Sequence, residues 1–517
     1  MRLLTVEQMR EADRYTIEEV GISALELMER AGRALSFRAE EMVGLNGKRI
    51  RERVLCVCGG GNNGGDGFVC ARLLNERGQE ADVVFVGEKC SEECAVNKQR
   101  FVALGGKILE QMPTRGYAVV VDCLLGTGFH GEPKASAQAA IAGVNALKQQ
   151  GAKVLSADIP SGVNGNNGSV AGCAVRADKT LCIGEVKQGV YLGDGIDYAG
   201  EVLCVDIGIE LPADTYTTLL TDKTVSGLLP KRKRNSHKGT YGKAAIIAGS
   251  AAYTGAAYLS AAACLRGGAG YTYLYLPKAL TSAFALKLPE ALLMPLCEGE
   301  SLSFSGADFL SVCKMQSIGY GMGMGASEDV AAGAEYLIRN YTGKLVLDAD
   351  GINALAAYRA ESLNEIFANK KCDVVLTPHV KEFSRISGKA VAEIMQDPVA
   401  ASEEFAKKHG VTVLLKNAVS VITDGKQTCF NAEGNAGQAK GGSGDVLSGV
   451  ITSLCACGLS VYDAARIGAY VTGRAAVLAA QKQGEYSLLA SDVIAYLGRA
   501  FLSLTVAENA DTQRNEE

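Results

Sequence analysis

Short apolar runs alternate with helix-period stretches along the first 200 residues of the chain. Val54 to Cys58, Asp82 to Val86, Val119 to Val121, Val154 to Ala157 and Thr180 to Ile183 predict strands, and the segments between them predict helices. Such alternation specifies a parallel sheet covered by helices on both faces. Two helices are expected ahead of it, because Thr5-x-x-Gln8 and Ser23-x-x-Glu26 both match the capping box. The start, Met1 to Glu11, has no basic segment followed by an apolar core, so it reads as the first helix and not as a secretory signal.

The pattern lapses over the polar stretch from about Leu211 to Asp222 and resumes after a basic loop ending near Ser236. Strands are then expected at Lys243 to Ala248, Thr272 to Leu276, Ser317 to Gly319, Lys344 to Asp348, Asp373 to Thr377, Thr412 to Lys416 and Val419 to Thr423. No fixed-period repeat links the halves, so two independent α/β domains are predicted, over 1–215 and 225–505, with a polar tail at 506–517. A length of 517 residues agrees, since one hydrophobic core stops growing well before that size.

Composition narrows the class. Hydrophobic residues at 48% and charged residues at 21% describe a globular chain with a large core. A net charge of −5 gives no field for nucleic acid or an anionic membrane. The basic run Lys231 to Arg234 reads as a solvated loop, with a nucleic-acid patch or nuclear signal as its alternative. The uncharged segment Ala244 to Leu265 is long enough to span a bilayer, but Gly249-Ser250 and Thr254-Gly255 break it into a strand, a loop and a buried helix. Sixteen dispersed cysteines, mostly inside apolar runs, fit a reduced cytoplasmic setting. With four histidines, no Cys-x-x-Cys and no His-Glu-x-x-His, a zinc site is not expected.

Gly59-Gly-Gly61-Asn-Asn-Gly64 matches the dinucleotide fingerprint, sits between a strand and a helix, and has Asp82 at about the spacing of a ribose-binding acid. Its glycines would let backbone N–H groups approach a pyrophosphate at a helix N-terminus. That reading gives a Rossmann-like α/β/α domain and, taken alone, a dehydrogenase. The surplus of polar groups in Asn62, Asn63 and Asp66 argues for other chemistry.

The full string Gly59 to Gly67 resembles the signature of the NAD(P)H-hydrate epimerase family. Three later segments agree in the family's order: Val121-Asp122 to Gly131, Ala157-Asp158-Ile-Pro-Ser161-Gly-Val-Asn164, and Ala177-Asp178-Lys-Thr with Lys187-Gln-Gly189. The resemblance covers about residues 5 to 210. It implies that Asn63, Asp122 and Ser161 hold a potassium ion, a donor set of hard oxygens suited to a monovalent cation. It implies substrate-binding loops at Asn62, Asn63, Gly64, Gly65 and Asp66, and at Gly126, Thr127, Gly128, Phe129, His130, Gly131 and Glu132. Asp158 matches the position facing the hydrated nicotinamide ring and is the candidate acid/base of epimerisation. The alternative for Asp158 is a turn carboxylate capping the Pro160-Ser161-Gly162 bend.

In the second half, Lys440-Gly-Gly-Ser443-Gly444-Asp445 to Gly449 sets glycines before an apolar helical run with an acid at the helix entry. Backbone N–H groups there can hold phosphoryl oxygens while Asp445 takes a proton, or Asp445 is simply a helix N-cap. No P-loop motif occurs. His237-Lys-Gly239-Thr-Tyr-Gly242-Lys, Ala248-Gly-Ser250 with Thr254 to Ala257, Leu347-Asp348-Ala-Asp350-Gly-Ile-Asn353 and Thr377-Pro-His379 follow the order of the ribokinase-like NAD(P)H-hydrate dehydratases, which this region, about 225 to 505, resembles.

This second resemblance implies hydrate contacts at Ala256, Gly323, His379 and Asp445, with Asp445 catalytic, and an adenine-nucleotide site at Lys416, Asn417, Ala418, Val419, Ser420 and Gly444. It departs from the family at Gly319-Tyr-Gly-Met-Gly323, at Val380-Lys381 after His379, and at Ser443. The implied protein is a bifunctional enzyme that interconverts the R and S hydrates of NADH and NADPH. It then dehydrates the S form, using ADP as co-substrate with Mg2+ and releasing AMP and phosphate. Its partners are expected to be these small molecules and further copies of itself as a homo-oligomer, with no nucleic acid and no membrane. A ribokinase-like kinase of a hydroxymethylpyrimidine or thiazole alcohol, or a scaffold role for the first half, are the rival readings.

Overall fold

A computed structural model of the protein describes residues 1–44, 52–212, 216–296 and 311–514. The chain divides into two compact units, Met1–Tyr216 and Thr217–Glu517.

The sheet of the first unit is built from β1 (Val54–Gly59), β2 (Ala81–Val86), β3 (Lys107–Leu109), β4 (Val119–Cys123), β5 (Lys153–Ala157), β6 (Lys179–Ile183) and β7 (Glu201–Val205). They are hydrogen-bonded in the order β3-β2-β1-β4-β5-β6-β7, all parallel. This is the expected Rossmann-like α/β arrangement, with helices over both faces. Side chains of β1 alternate between those faces: Val54, Cys56 and Cys58 join Leu35, Phe68 and Phe101 in one core, and Leu55 and Val57 join Ile141 and Val144 in the other. The cysteines pack as small hydrophobes and are free thiols. Strand order reverses between β1 and β4, so the loops leaving their carboxyl ends splay apart and open a crevice there.

The chain start differs from the expectation of a helix. Arg2–Leu4 is a short strand, parallel to Val186–Lys187, with Leu4 opposite Lys187. The helix Val6–Tyr15 follows, closed by the predicted capping box of Thr5 and Gln8. The second helix, Ala24–Gly44, starts where Ser23 Oγ accepts from Glu26 N at 3.2 Å. Strands β3 and β7 lie at the two edges of the sheet and are only partly buried, which is why no apolar run announces them.

The second unit contains β8 (Thr217–Leu219), β9 (Lys243–Ile247), β10 (Tyr271–Leu276), β11 (Leu292–Pro295), β12 (Ser317–Tyr320), β13 (Lys344–Leu347), β14 (Asp373–Leu376), β15 (Thr412–Leu415), β16 (Ser420–Thr423) and β17 (Thr428–Asn431). Their order is β11-β10-β9-β12-β13-β14-β15-β16-β17-β8. Pairing is parallel as far as β15, antiparallel from β15 through β17, and parallel again to β8. Helices Thr254–Arg266, Ser443–Ala456 and Val461–Gln483 supply most of the core against this sheet, giving the ribokinase-like α/β architecture. Ala244 to Leu265 is a strand, a loop and a buried helix, as its glycines predict.

Two boundaries fall differently from the sequence expectation. Strand β8 lies inside the polar stretch taken to be a linker, its Thr218 paired with Cys429, so the second unit begins at Thr217. Residues 213–215 of that stretch lie outside the described residues. At the other end the helix Ala490–Arg514 continues into the segment expected to be a tail, whose last three positions, 515–517, are also outside them. Among the described residues no helix is long and apolar enough to cross a membrane.

Candidate active sites

A cleft of about 1440 Å³ opens at the β1/β4 switch point of the first unit. Helix Asn62–Glu76 starts within the glycine string itself, so Asn62 and Asn63 occupy its first turn. Both line the cleft with Asp66, as do Gly126, Thr127, Gly128, Phe129, His130 and Glu132, while Gly64, Gly65 and Gly131 do not. Gly64 and Gly65 serve packing: a Cβ on Gly64 would lie 1.9 Å from the Gly59 carbonyl oxygen, and one on Gly65 2.5 Å from the Met28 sulfur. Asp82 is remote from this chemistry. It sits at the amino end of β2, bound by Arg53 and by the Tyr117 hydroxyl at 2.6 Å, and so cannot act as a ribose acid at the carboxyl end.

Asn63, Asp122 and Ser161 meet around the Leu125 peptide. Asn63 Nδ2 donates to Leu125 O at 3.0 Å, and Leu125 N donates to Ser161 Oγ at 2.8 Å. Ser161 Oγ donates to Asp122 Oδ1 at 2.5 Å, while Ser156 Oγ and Ser161 N donate to Asp122 Oδ2, each at 2.9 Å. Burial pushes the Asp122 carboxyl up from its ordinary value, and these hydrogen bonds pull against that. Asn63 Oδ1 is buried with no hydrogen-bond partner. Such an orphan costs about 1–3 kcal/mol, a cost that a bound cation removes. Amide, carboxylate, hydroxyl and peptide oxygens suit a monovalent cation, so the residues present fit potassium.

Asp158 stands at φ 67°, in the left-handed region that a non-glycine residue seldom occupies. The turn aims its carboxylate back across the end of β6, where Oδ1 accepts from Ile183 N at 3.0 Å and from the Lys187 ammonium. It does not cap the Pro160 to Gly162 bend. Lys187 has a side chain only 1% exposed, and its Nζ also donates to Ile183 O at 2.8 Å. Burial works against its charge, but the Asp158 carboxylate, with Cys182 and Asp13 adding to it, holds the ammonium above its ordinary value. Burial pushes the Asp66 carboxyl well up, with Asp158 and Asp13 adding to the effect.

In the second unit Asp348 is the centre of a buried cluster. Its Oδ1 accepts from Lys416 Nζ at 2.8 Å and its Oδ2 from Ser448 Oγ at 2.7 Å. Glu382 Oε2 lies 4.0 Å from the same ammonium. A Cβ on Gly444 would be 3.2 Å from Lys416 Nζ, so the glycine lets this cluster reach the entry of helix Ser443–Ala456. That helix is capped by Gly442, at φ 95°, and Asp445 lies in its first turn, free of any capping duty. Burial, then the neighbouring Asp348 carboxylate, push the Asp445 carboxyl up to about 7, with Lys416 pulling the other way. A carboxylate poised near neutrality is suited to accept a proton.

The remaining residues divide. Gly323, at φ 64°, packs on Ala256, whose Cβ a substituent would meet at 2.7 Å, so these two predicted contacts are neighbours. His379 caps helix Val380–Ser387, its Nδ1 accepting from Lys381 N at 3.1 Å and Glu382 N at 3.2 Å, and its ring is half exposed. Lys416 bridges to His379 at the strand ends and joins the Asp348 cluster. Asn417 is exposed, with its Oδ1 turned to Ala418 N, whereas Val419 packs in the core and can offer only backbone; Ser420 opens β16. Lys187, Asp13, Asp348 and Ser448 join these sites beyond the residues that the sequence motifs assign a role. Lys187, Asp348 and Ser448 lie inside the family-like motifs, Ser448 within Lys440 to Gly449, and that was the available signal, while nothing in the sequence marks Asp13.

A Rossmann-like unit with an acid–base cleft, followed by a ribokinase-like unit with a glycine-flanked carboxylate, defines a two-domain enzyme acting on nucleotide-type ligands. Residues 244–499 match the family model described as NAD(P)H-hydrate dehydratase, and residues 24–189 match that of the YjeF-related protein N-terminus. A bifunctional NAD(P)H-hydrate repair enzyme of Thermofilum pendens is 33% identical over 98% of this chain and 97% of its own. One of Coxiella burnetii is 34% identical over 95% and 97%. A Bacillus subtilis ADP/ATP-dependent NAD(P)H-hydrate dehydratase, crystallised with ATP/Mg2+, is 26% identical with a TM-score of 0.49, covering 56% of this chain and 99% of that one. The chain belongs to the family of bifunctional NAD(P)H-hydrate repair enzymes.

Proposed function

We propose that the first unit interconverts the R and S hydrates of NADH and NADPH, and that the second dehydrates the S hydrate with ADP, releasing AMP and phosphate. The observation that carries the division of labour is that each unit has its own acid–base carboxylate, Asp158 beside Lys187 and Asp445 beside the Lys416–Asp348 pair. Asp445 takes the proton of the ring hydroxyl as that oxygen attacks the terminal phosphoryl group. Lys416 and the N–H groups entering helix Ser443–Ala456 stabilise the phosphoryl oxygens. Phosphate then leaves far more readily than hydroxide.

Asn63, Asp122 and Ser161 would hold K+, which supplies positive charge beside the substrate loops. Mg2+ would arrive with the nucleotide phosphates, since among the described residues no group of three or more His, Cys, Asp and Glu side chains has metal-holding geometry. Free cysteines support a reducing cytoplasmic setting, with the protein working as a homo-oligomer on small molecules alone. The test supplies each purified epimer of hydrated NADH with protein, ADP and Mg2+ and follows absorbance recovery. Recovery from both epimers is expected. Phosphorylation of a pyrimidine or thiazole alcohol, with neither epimer recovering, would overturn the reading.

A further inference from the structure

The first unit's cleft holds more proton-carrying groups than a single acid/base residue needs. Strand Arg2–Leu4 pairs with Val186–Lys187, which sets the helix Val6–Tyr15 alongside Lys187. That helix is pinned at both ends: Val6 N donates to Asn166 Oδ1 at 2.7 Å, and Glu210 N donates to Thr16 Oγ1 at 2.9 Å. Asp13, one turn before the second anchor, lines the same cleft as Asp66, Asp158 and Lys187 and is half-buried there. Among the described residues no capping or helix-stabilising partner accounts for an acid at this inward position.

We propose that Asp13 is the acid partner of Asp158 in epimerisation, and that Lys187 is the positioning residue that keeps Asp158 as the base. This rests on the reading of the first unit as the epimerase. Two carboxyl groups in one cleft divide the work when their surroundings differ. Asp158 is bonded to the buried Lys187 ammonium, which occupies its Oδ1. Asp13 has no such bond, and burial, with Asp158 adding and Lys187 opposing, pushes it up to about 6.

The hydrated ring carries its hydroxyl on the carbon next to the ring nitrogen. Asp13 gives a proton to that hydroxyl as the carbon–oxygen bond breaks, water leaves, and the nitrogen lone pair forms a carbon–nitrogen double bond. Water then adds from the opposite face while Asp158 takes its proton: a lone pair of the water oxygen forms the new carbon–oxygen bond, and the electron pair of the carbon–nitrogen double bond returns to nitrogen. The proton passes back from Asp158 to Asp13, so the substrate is isomerised with no net gain or loss.

The experiment uses the full-length protein and measures epimer exchange at saturating and limiting hydrate. Asp13→Asn is expected to lower kcat by about 100-fold with KM little changed, within the range of one general acid. Asp13→Glu is expected to restore part of kcat. The wild-type rate should fall as pH rises through about 6, where Asp13 loses its proton, and this limb should vanish in Asp13→Asn. The groups facing Asp13 are Asp158 and Lys187, with Asp66 and Cys182 beyond them. Dehydration of directly supplied S hydrate serves as the folding control. A wild-type kcat and an unchanged limb in Asp13→Asn would overturn the proposal alone. Failure of the wild-type protein to exchange epimers at any pH would overturn the epimerase reading beneath it.

Discussion

Lys187 and Asp158 form an ion pair whose lysine is almost wholly shielded from solvent, and whose aspartate is held in a backbone conformation that L-residues avoid. Each half of that arrangement is unfavourable by itself: a buried ammonium without its carboxylate, or a left-handed aspartate without a task. Their combination fixes the carboxylate in place beside a cation.

Replacing Lys187 by Met tests the pair. Loss of one partner of a buried ion pair costs about 3–5 kcal/mol, because the other charge is left uncompensated. Lys187→Met is therefore expected to unfold the first unit at lower denaturant and to lower epimer exchange by more than 100-fold. Adding Asp158→Asn should restore most of the stability and none of the exchange, measured by urea titration and by chromatographic separation of the epimers.

Asp445→Asn is expected to reduce ADP-dependent dehydration by at least 1000-fold while epimer exchange persists, since each unit carries its own carboxylate. The pH profile carries the sign. With its carboxyl raised to about 7, Asp445 is protonated and inactive as a base below that pH, so the wild-type dehydration rate should rise through about pH 7 and level off above it. Steady-state rates between pH 5.5 and 8.5 on the S hydrate decide this; a flat profile would remove Asp445 from the role.

The parts of this architecture that depend on local pattern were legible in the sequence. Central strands such as Val54–Gly59 and Lys344–Leu347 are short apolar runs buried on both faces, and the Thr5 capping box is written in two residues. Strands Glu201–Val205 and Thr217–Leu219 were not legible, because they are short, partly buried or polar, and are defined by pairing and not by composition. Site residues held in glycine-rich strings, Asn63 and Asp445 among them, could be found from their setting. Asp13 could not: an acid in an amphipathic helix looks like any solvated charge until the pairing of Leu4 with Lys187 turns that helix toward the cleft. The glycine string also carries a packing constraint that its pattern does not announce, since a Cβ on Gly64 or Gly65 would meet the Gly59 carbonyl oxygen or the Met28 sulfur.

Removal of potassium is expected to weaken the first unit selectively. The orphaned Asn63 Oδ1 should then lack its ligand, so unfolding of the first unit should occur at lower temperature in choline chloride than in potassium chloride at equal ionic strength. Asn63→Ala should abolish that difference and reduce epimer exchange. The dehydration rate on supplied S hydrate should respond to neither change.

The stability of the second unit should fall in mild acid because of His409. Its ring lies between Phe367 and Phe405, with centroids at 5.1 and 4.4 Å, and is buried. Burial, with Lys408 and Lys370 nearby, lowers its pKa from 6.5 to about 4. A histidine lowered on folding binds fewer protons when folded than when unfolded, so stability is complete above about 6.5 and is lost as pH falls toward about 4. The loss approaches about 3 kcal/mol at most, from about 1.36 kcal/mol per pKa unit. His409→Gln cannot take up this proton. Denaturant midpoints of the second unit measured at pH 7 and pH 4.5 should therefore separate less in the variant than in the wild type, and an equal separation in both would assign the acid sensitivity to other groups.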